Sequence, residues 1–175
     1  MTSDAFFEML INGGFESSNY DLVFIDGLHT FEQVARDFKN CVQFMNRNGI
    51  IVIDDTVPKD VFSSLPSQED CYRLRKASGK HDDGSWHGDV FKLIYQLSLA
   101  EYESLRIATI SDLSNPKTVA WIENGNWKDL KIELNSDDVA YEDLFKNGIP
   151  DCFNPITKNE FFKYAKKNLL STKIV

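Results

Sequence analysis

The chain has 175 residues, of which 42% are hydrophobic and 13% aromatic, a length and composition that suit one domain with a sizeable core. Its 27 acidic residues outnumber the 19 basic ones, for a net charge of -8, which disfavours nucleic acid or an anionic membrane as partner and leaves small molecules or proteins. Three cysteines, Cys41, Cys71 and Cys152, have neither zinc-ligand spacing nor an even count, and no signal segment or membrane-length apolar run is visible, so the expectation is a cytoplasmic protein.

In chain order, residues 2 to 12 predict a short helix capped by Ser3, with Asp4 at its positive end and Phe6, Phe7, Leu10 and Ile11 at helical spacing. Gly13-Gly14 ends it. Tyr20 to Ile25 predicts a strand whose near-continuous apolar character suits burial on both faces of a parallel sheet. Thr30 and Gln33 have capping-box spacing, and Val34, Ala35, Phe38, Cys41, Val42 and Met45 define one helical face. Asn48-Gly49 reads as the stop, followed at once by a second strand, Ile50 to Ile53, that ends in Asp54 and Asp55. This strand-helix-strand unit predicts parallel neighbours joined by a right-handed crossover.

From Thr56 to Trp86 the pattern becomes polar and proline-containing, which predicts a mobile surface excursion. A helix is expected from about Gly88 to Leu99, and strands at Leu105 to Ile110 and Thr118 to Ile122, separated by the turn-rich SDLSNPK. Asn124-Gly125-Asn126 predicts a hairpin into a strand from Trp127 to Leu134. Thr157 and Glu160 again have capping-box spacing, before an amphipathic C-terminal helix.

In open parallel sheets ligands bind beyond the carboxyl ends of the strands. Asp26, Asp54 and Asp55 fall at two such ends, so their carboxylates are expected to converge; close like charges need a proton or a cation between them, and an all-oxygen set favours a hard ion such as magnesium or calcium. The competing reading of each acid alone is helix capping or plain solvation. His29 stands at a helix start beside these acids, where a neutral imidazole could take a proton from a substrate hydroxyl or, equally, bond to a loop carbonyl. His81 and His87 are weaker candidates: the first sits in a polar loop and the second flanks Trp86.

YDLVFIDGLHTFEQVARDF, then NGIIVIDDTVP and WHGDVFKLIYQL, together resemble the class I S-adenosylmethionine-dependent methyltransferases, in particular the branch with an IDG-x-H strand end. The similarity covers residues 1 to 125, with 126 to 175 as an extension packed on the same domain, and it implies an α/β Rossmann-like fold: a mainly parallel sheet, flanking helices and an antiparallel closing strand, TVAWI. The glycine-rich first strand and the acidic ribose partner of that fold are not recognisable, so the expected sheet lacks the N-terminal cofactor-binding strands. Carried over from metal-dependent O-methyltransferases, the resemblance implies Asp26, Asp54 and Asp55 as ligands of a divalent ion such as magnesium, and Asp26 and Gly27 beside S-adenosylmethionine. His29 would assist deprotonation of a small-molecule acceptor, with Asp26 as its catalytic partner. Trp86 is expected to pack and Asp89 to cap the helix that follows it.

Two functions follow from these readings. One is a methyltransferase, or its C-terminal catalytic half, acting on a small acceptor, with oxygen as a candidate target atom; the other is a non-catalytic remnant serving as an assembly or interaction module. If Tyr20 to Ile25 is an exposed edge, a homodimer, the C-terminal segment or a separate N-terminal half should cover it.

Overall fold

The computed structural model describes residues 1–14, 19–81, 83–100, 102–134 and 139–168. Helix α1 spans Ser3–Ile11 and is capped by Thr2, whose hydroxyl accepts the Ala5 N–H, rather than by Ser3. Strand β1 (Tyr20–Ile25), helix α2 (Phe31–Gln43) and strand β2 (Met45–Ile53) follow. The two strands are parallel neighbours, with Leu22 opposite Ile50 and Ile25 opposite Ile53, as the strand-helix-strand pattern predicts.

Two local details depart from the sequence reading here. The Thr30 side chain makes no capping bond; the N-terminus of α2 is capped from a distant loop, where Asp89 Oδ1 accepts the Phe31 N–H at 2.7 Å. Gln33 instead donates to Ser3, Asp4 and Asp37, tying α2 to α1. Asn48-Gly49 does not stop the helix, which ends at Gln43 with Phe44 as its C-cap; together with Met45 it lies within β2, where the pairing register slips between Tyr20 and Leu22. A β-carbon on Gly49 would lie 2.6 Å from the Met45 methyl and 2.9 Å from the Tyr20 carbonyl oxygen, so the close approach of backbone at this irregularity demands glycine.

The segment after β2 carries helix α3 (Gln68–Ala77), then α4 (Phe91–Leu99). Instead of a loose excursion, the described residues between β2 and α4 are pinned by a buried cation. Arg75, 1% exposed, reaches Asp60 at 3.3 Å and the Ser85 carbonyl at 2.9 Å. Sequence hydropathy reads such a segment as solvated because its core is held by polar bonds rather than by apolar burial.

Strands β3 (Leu105–Ile110), β4 (Lys117–Ile122) and the two-residue β5 (Pro155–Ile156) complete a five-stranded sheet of order β1-β2-β4-β3-β5. β4 runs antiparallel to both β2 and β3, while β3 and β5 are parallel. Four strands therefore point one way and one the other, an α/β arrangement consistent with a Rossmann-like fold. The antiparallel strand lies inside the order, between β2 and β3. The predicted strand from Trp127 to Leu134 does not form: Trp127–Asp129 is a single 3-10 turn. Its anchor is Trp127, fully buried, edge-on to Phe38 and donating Nε1–H to the Gly49 carbonyl. A short helix α5 (Tyr141–Leu144) precedes the C-terminal helix α6 (Lys158–Asn168). The Thr157–Glu160 capping box forms as expected: Glu160 accepts the Thr157 N–H, and the Thr157 hydroxyl accepts the Glu160 N–H.

The sheet has two unequal faces. Ile25, Ile51 and Ile53 pack into the main core with α1, α2 and α4, whereas Ile50 and Val52 turn to a smaller cluster around Trp121 and Phe161 of α6. Leu22 and Phe24 share the second face through their register with Ile50 and Val52, yet they are 59% and 50% exposed. β1 is the edge strand, and it is not buried on both faces. Among the described residues no helix is long and apolar enough to cross a membrane.

Candidate functional site

The common direction of β1 and β2 places their carboxyl ends side by side, and with them Asp26, Gly27, Asp54 and Asp55. The Asp54 N–H donates to the Ile25 carbonyl at 3.0 Å, so the ladder continues to the last residue before the acids. The loop joining β3 to β4 reaches the same rim, because β4 starts where β2 ends: Thr118 pairs with Ile53, which sets Lys117 beside Asp54.

The acids have divergent fates. Asp54 Oδ1 accepts from the Lys117 ammonium, from Asn115 Nδ2 at 3.0 Å and from the Asp55 N–H at 2.8 Å. Its charge is thereby spent on its neighbours. Asp55 turns the other way. Its backbone is left-handed, φ 56°, a conformation that aspartate tolerates better than most residues. The buried carboxylate has Oδ2 3.1 Å from His29 Nε2 and Oδ1 3.1 Å from Asn115 Nδ2. Asp26 Oδ1 stands 3.6 Å from the same His29 nitrogen. One ligand atom from each of Asp26, His29 and Asp55 falls within 4.8 Å of the others.

His29 is held from behind by the return leg of the long loop. Its ring stacks on Trp86 at 4.9 Å between centroids, and its Nδ1 is 3.0 Å from the Trp86 carbonyl oxygen. A carbonyl only accepts, so that partner assigns the proton to Nδ1 and leaves Nε2 to face the two carboxylates. Trp86 in turn donates Nε1–H to the Leu65 carbonyl at 2.7 Å. Its expected packing role is met, with the imidazole as one of its neighbours. Gly88 secures the contact: at φ 63°, a β-carbon there would fall 1.6 Å from the His29 carbonyl oxygen. Asp89, expected to cap the helix after it, caps α2 instead and donates its own N–H to the His29 carbonyl at 3.2 Å.

Behind Asp55 lies His87, 3% exposed, with Nε2 3.8 Å from Asp55 Oδ1. Burial drives its pKa below the usual histidine value, more strongly than the Asp55 carboxylate raises it. The Asn115 side chain also faces the buried His87 ring and, like the Asp55 carboxylate, acts to raise its pKa. Asn115, Lys117 and His87 all belong to the site. The sequence reading treated the first two as turn residues and the third as secondary, since only the register of β4 and the path of the loop bring them in. His81 lies exposed, beside Tyr72, Arg73 and Lys76 of α3.

The space between the strand ends, bounded by Ile25, Asp26, Gly27, Leu28, His29, Val34, Asp54, Asp55 and Val90, amounts to about 10 Å³. That is roughly one water-sized sphere. The rim can therefore seat an ion or a water between its side chains, while any larger ligand must lie above it.

The rim lies at the strand ends of an α/β sheet consistent with a Rossmann-like fold. Residues 1–56 match a protein family described as a methyltransferase domain; the match runs from α1 to just beyond Asp55 and so contains both acidic strand ends. Over those residues the chain is similar to methyltransferase domains. No curated protein matches the chain.

Proposed function

We propose that this chain carries the acceptor side of an S-adenosylmethionine-dependent methyltransferase, moving a methyl group to a small molecule, with oxygen as the favoured target atom. The observation that carries the reading is the convergence of Asp26, His29 and Asp55 at the carboxyl ends of two parallel strands, within the segment that matches a methyltransferase domain. In the reaction the acceptor oxygen forms a bond to the methyl carbon, the carbon-sulfur bond breaks with its electron pair going to sulfur, and the acceptor proton leaves. Removing that proton is the work of the rim, which offers two carboxylates and one imidazole nitrogen around a single small space.

The donor set also fits a divalent cation. One oxygen from each carboxylate and Nε2 of His29 lie within 4.8 Å of one another, and the opposite imidazole nitrogen is tied to a backbone carbonyl, an arrangement common for metal-bound histidine. Asp26 and Asp55 would hold such an ion, whereas Asp54 is engaged by Lys117 and Asn115. When bound, the ion supplies Lewis acidity that lowers the pKa of an acceptor hydroxyl. Asp26, half exposed, and Gly27 would meet the methyl donor above the rim.

Calorimetric titration with S-adenosylmethionine, with and without a divalent ion, tests the reading. Binding that weakens in Asp26→Asn supports it, and a chain that takes up no donor under either condition contradicts it.

A second reading, an assembly module, is favoured by one observation: β1 is an edge strand that exposes Leu22 and Phe24. Such an edge invites pairing with a second copy or with a separately supplied set of strands. Sedimentation showing concentration-dependent association that Phe24→Glu abolishes would support it, and a monomer at all concentrations would oppose it.

A further inference from the structure

We propose that the groove between the second half of α2 and the segment after Trp127 binds a small amphipathic carboxylate, a molecule with one acidic group on an apolar body. The groove lies at the opposite end of the sheet from the acidic rim, so this inference stands or falls independently of the methyl-transfer reading.

The chain path creates the groove. α2 starts at the rim with Phe31 and ends at Gln43, just before β2 begins, so its last turn lies at the amino end of that strand. Trp127 comes to the same end, edge-on to Phe38 of α2 and bonded through Nε1–H to the Gly49 carbonyl. Beyond it, residues 130 to 134 alternate apolar and charged side chains, and Leu130, Ile132 and Leu134 pack on the main core. No strand pairs with this segment among the described residues. Without a backbone ladder to draw it close, it leaves an open space of about 490 Å³ against α2, lined by Lys39, Val42, Gln43, Lys128, Leu130 and Ile132. Sites for small molecules occupy roughly 300 to 1,000 Å³.

The lining divides into two kinds of chemistry. Val42 is buried, and Leu130 and Ile132 are half-buried, so one part of the groove is apolar and gains from covering by an apolar body. The other part is cationic. Lys39 comes from α2 and Lys128 from the 3-10 turn, and neither ammonium has an ion pair or hydrogen bond among the described residues. Lys59, Lys92 and Lys117, by contrast, each hold an aspartate, in a chain where acids outnumber bases by 27 to 19.

Two ammonium groups without counter-charge on one groove favour an anion and disfavour a cation, and the half-burial of Lys39 lessens the screening that solvent would provide. Lysine presents a point charge with rotatable donors rather than a planar fork, which suits a single carboxylate on a flexible body. The Gln43 amide supplies a further polar group on the same wall. Charge and apolar surface thus specify one occupant, with its carboxylate at the lysines and its body along Val42, Leu130 and Ile132.

Octanoate is the probe, with acetate and octylammonium as controls for the apolar body and for the sign of the charge. Nitrogen-edited NMR of the full chain should show saturable shifts of the Lys39, Val42, Gln43, Lys128, Leu130 and Ile132 amides, with octanoate half-saturating at or below about 1 mM. Acetate and octylammonium should act at these residues at least about 10-fold more weakly, and replacing both lysines, Lys39→Gln with Lys128→Gln, should weaken octanoate by at least about 10-fold. Circular dichroism checks that the double variant folds; if it does not, the comparison of octanoate with octylammonium on the unaltered chain decides. No saturable shift up to about 10 mM octanoate, equal response to either control, or unchanged affinity in the folded double variant would overturn the proposal. So would groove amides that move with chain concentration instead of with octanoate, which would give the groove to a second copy.

Discussion

His29 Nδ1 lies 3.0 Å from the carbonyl oxygen of Trp86, and this bond joins the acidic rim of the sheet to the long segment between β2 and α4. The rim supplies charge, and the loop fixes which face of the imidazole meets it. Around that bond the backbone is packed so closely that one position accepts no side chain. Gly88 combines a left-handed φ of 63° with a virtual β-carbon 1.6 Å from the His29 carbonyl oxygen. Gly88→Ala should therefore lower unfolding free energy by at least about 3 kcal/mol, since strain and backbone overlap act together. Chemical denaturation measures this. A loss below about 1 kcal/mol would mean that the loop is not seated on His29 as described.

The same segment depends on Asp60, and its stability should depend on acid. Burial alone would raise the Asp60 pKa, but the Ser63 backbone N–H and the Arg75 guanidinium outweigh it and hold the carboxyl below its ordinary value of 3.8. A depressed folded-state pKa contributes stability that is complete above the ordinary value and is lost as pH falls through the depressed one. Wild-type stability should thus decline below about pH 4, and Asp60→Asn, already weaker at neutral pH, should decline less steeply over that window. Urea unfolding at several pH values compares the slopes; equal slopes would contradict the assignment.

The cysteines offer a chemical check on the core. Cys41 is buried on α2, and burial, reinforced by the nearby Asp37 charge, pushes its thiol up to about 12. Cys71 is fully buried, and Cys152 is exposed. A thiol reagent at neutral pH should label Cys152 promptly and leave Cys41 and Cys71 until the chain unfolds. Mass spectrometry of labelled peptides reads the order, and early labelling of Cys41 would place α2 wrongly.

What the sequence reveals follows the kind of force involved. Apolar periodicity and strand ends were enough for β1, α2, β2, the parallel pairing and the gathering of Asp26, His29 and Asp55, because burial and chain direction are local properties of these residues. Three features escaped because they depend on distant partners. The exposure of Leu22 and Phe24 reflects where α6 packs, over Trp121 rather than over β1. The order of the described residues between β2 and α4 rests on a buried Arg75 that composition counts as surface charge. The split between Asp54 and Asp55 is set by Lys117 and Asn115, which arrive only through the antiparallel register of β4.

The account rests on a methyl donor meeting the rim at Asp26 and Gly27. Nitrogen-edited NMR of the labelled chain titrated with S-adenosylhomocysteine up to about 1 mM tests this directly. The account predicts saturable shifts of the Asp26 and Gly27 amides that are lost in Asp26→Asn; a spectrum unmoved at those residues, or shifts confined to the far end of the sheet, would contradict it.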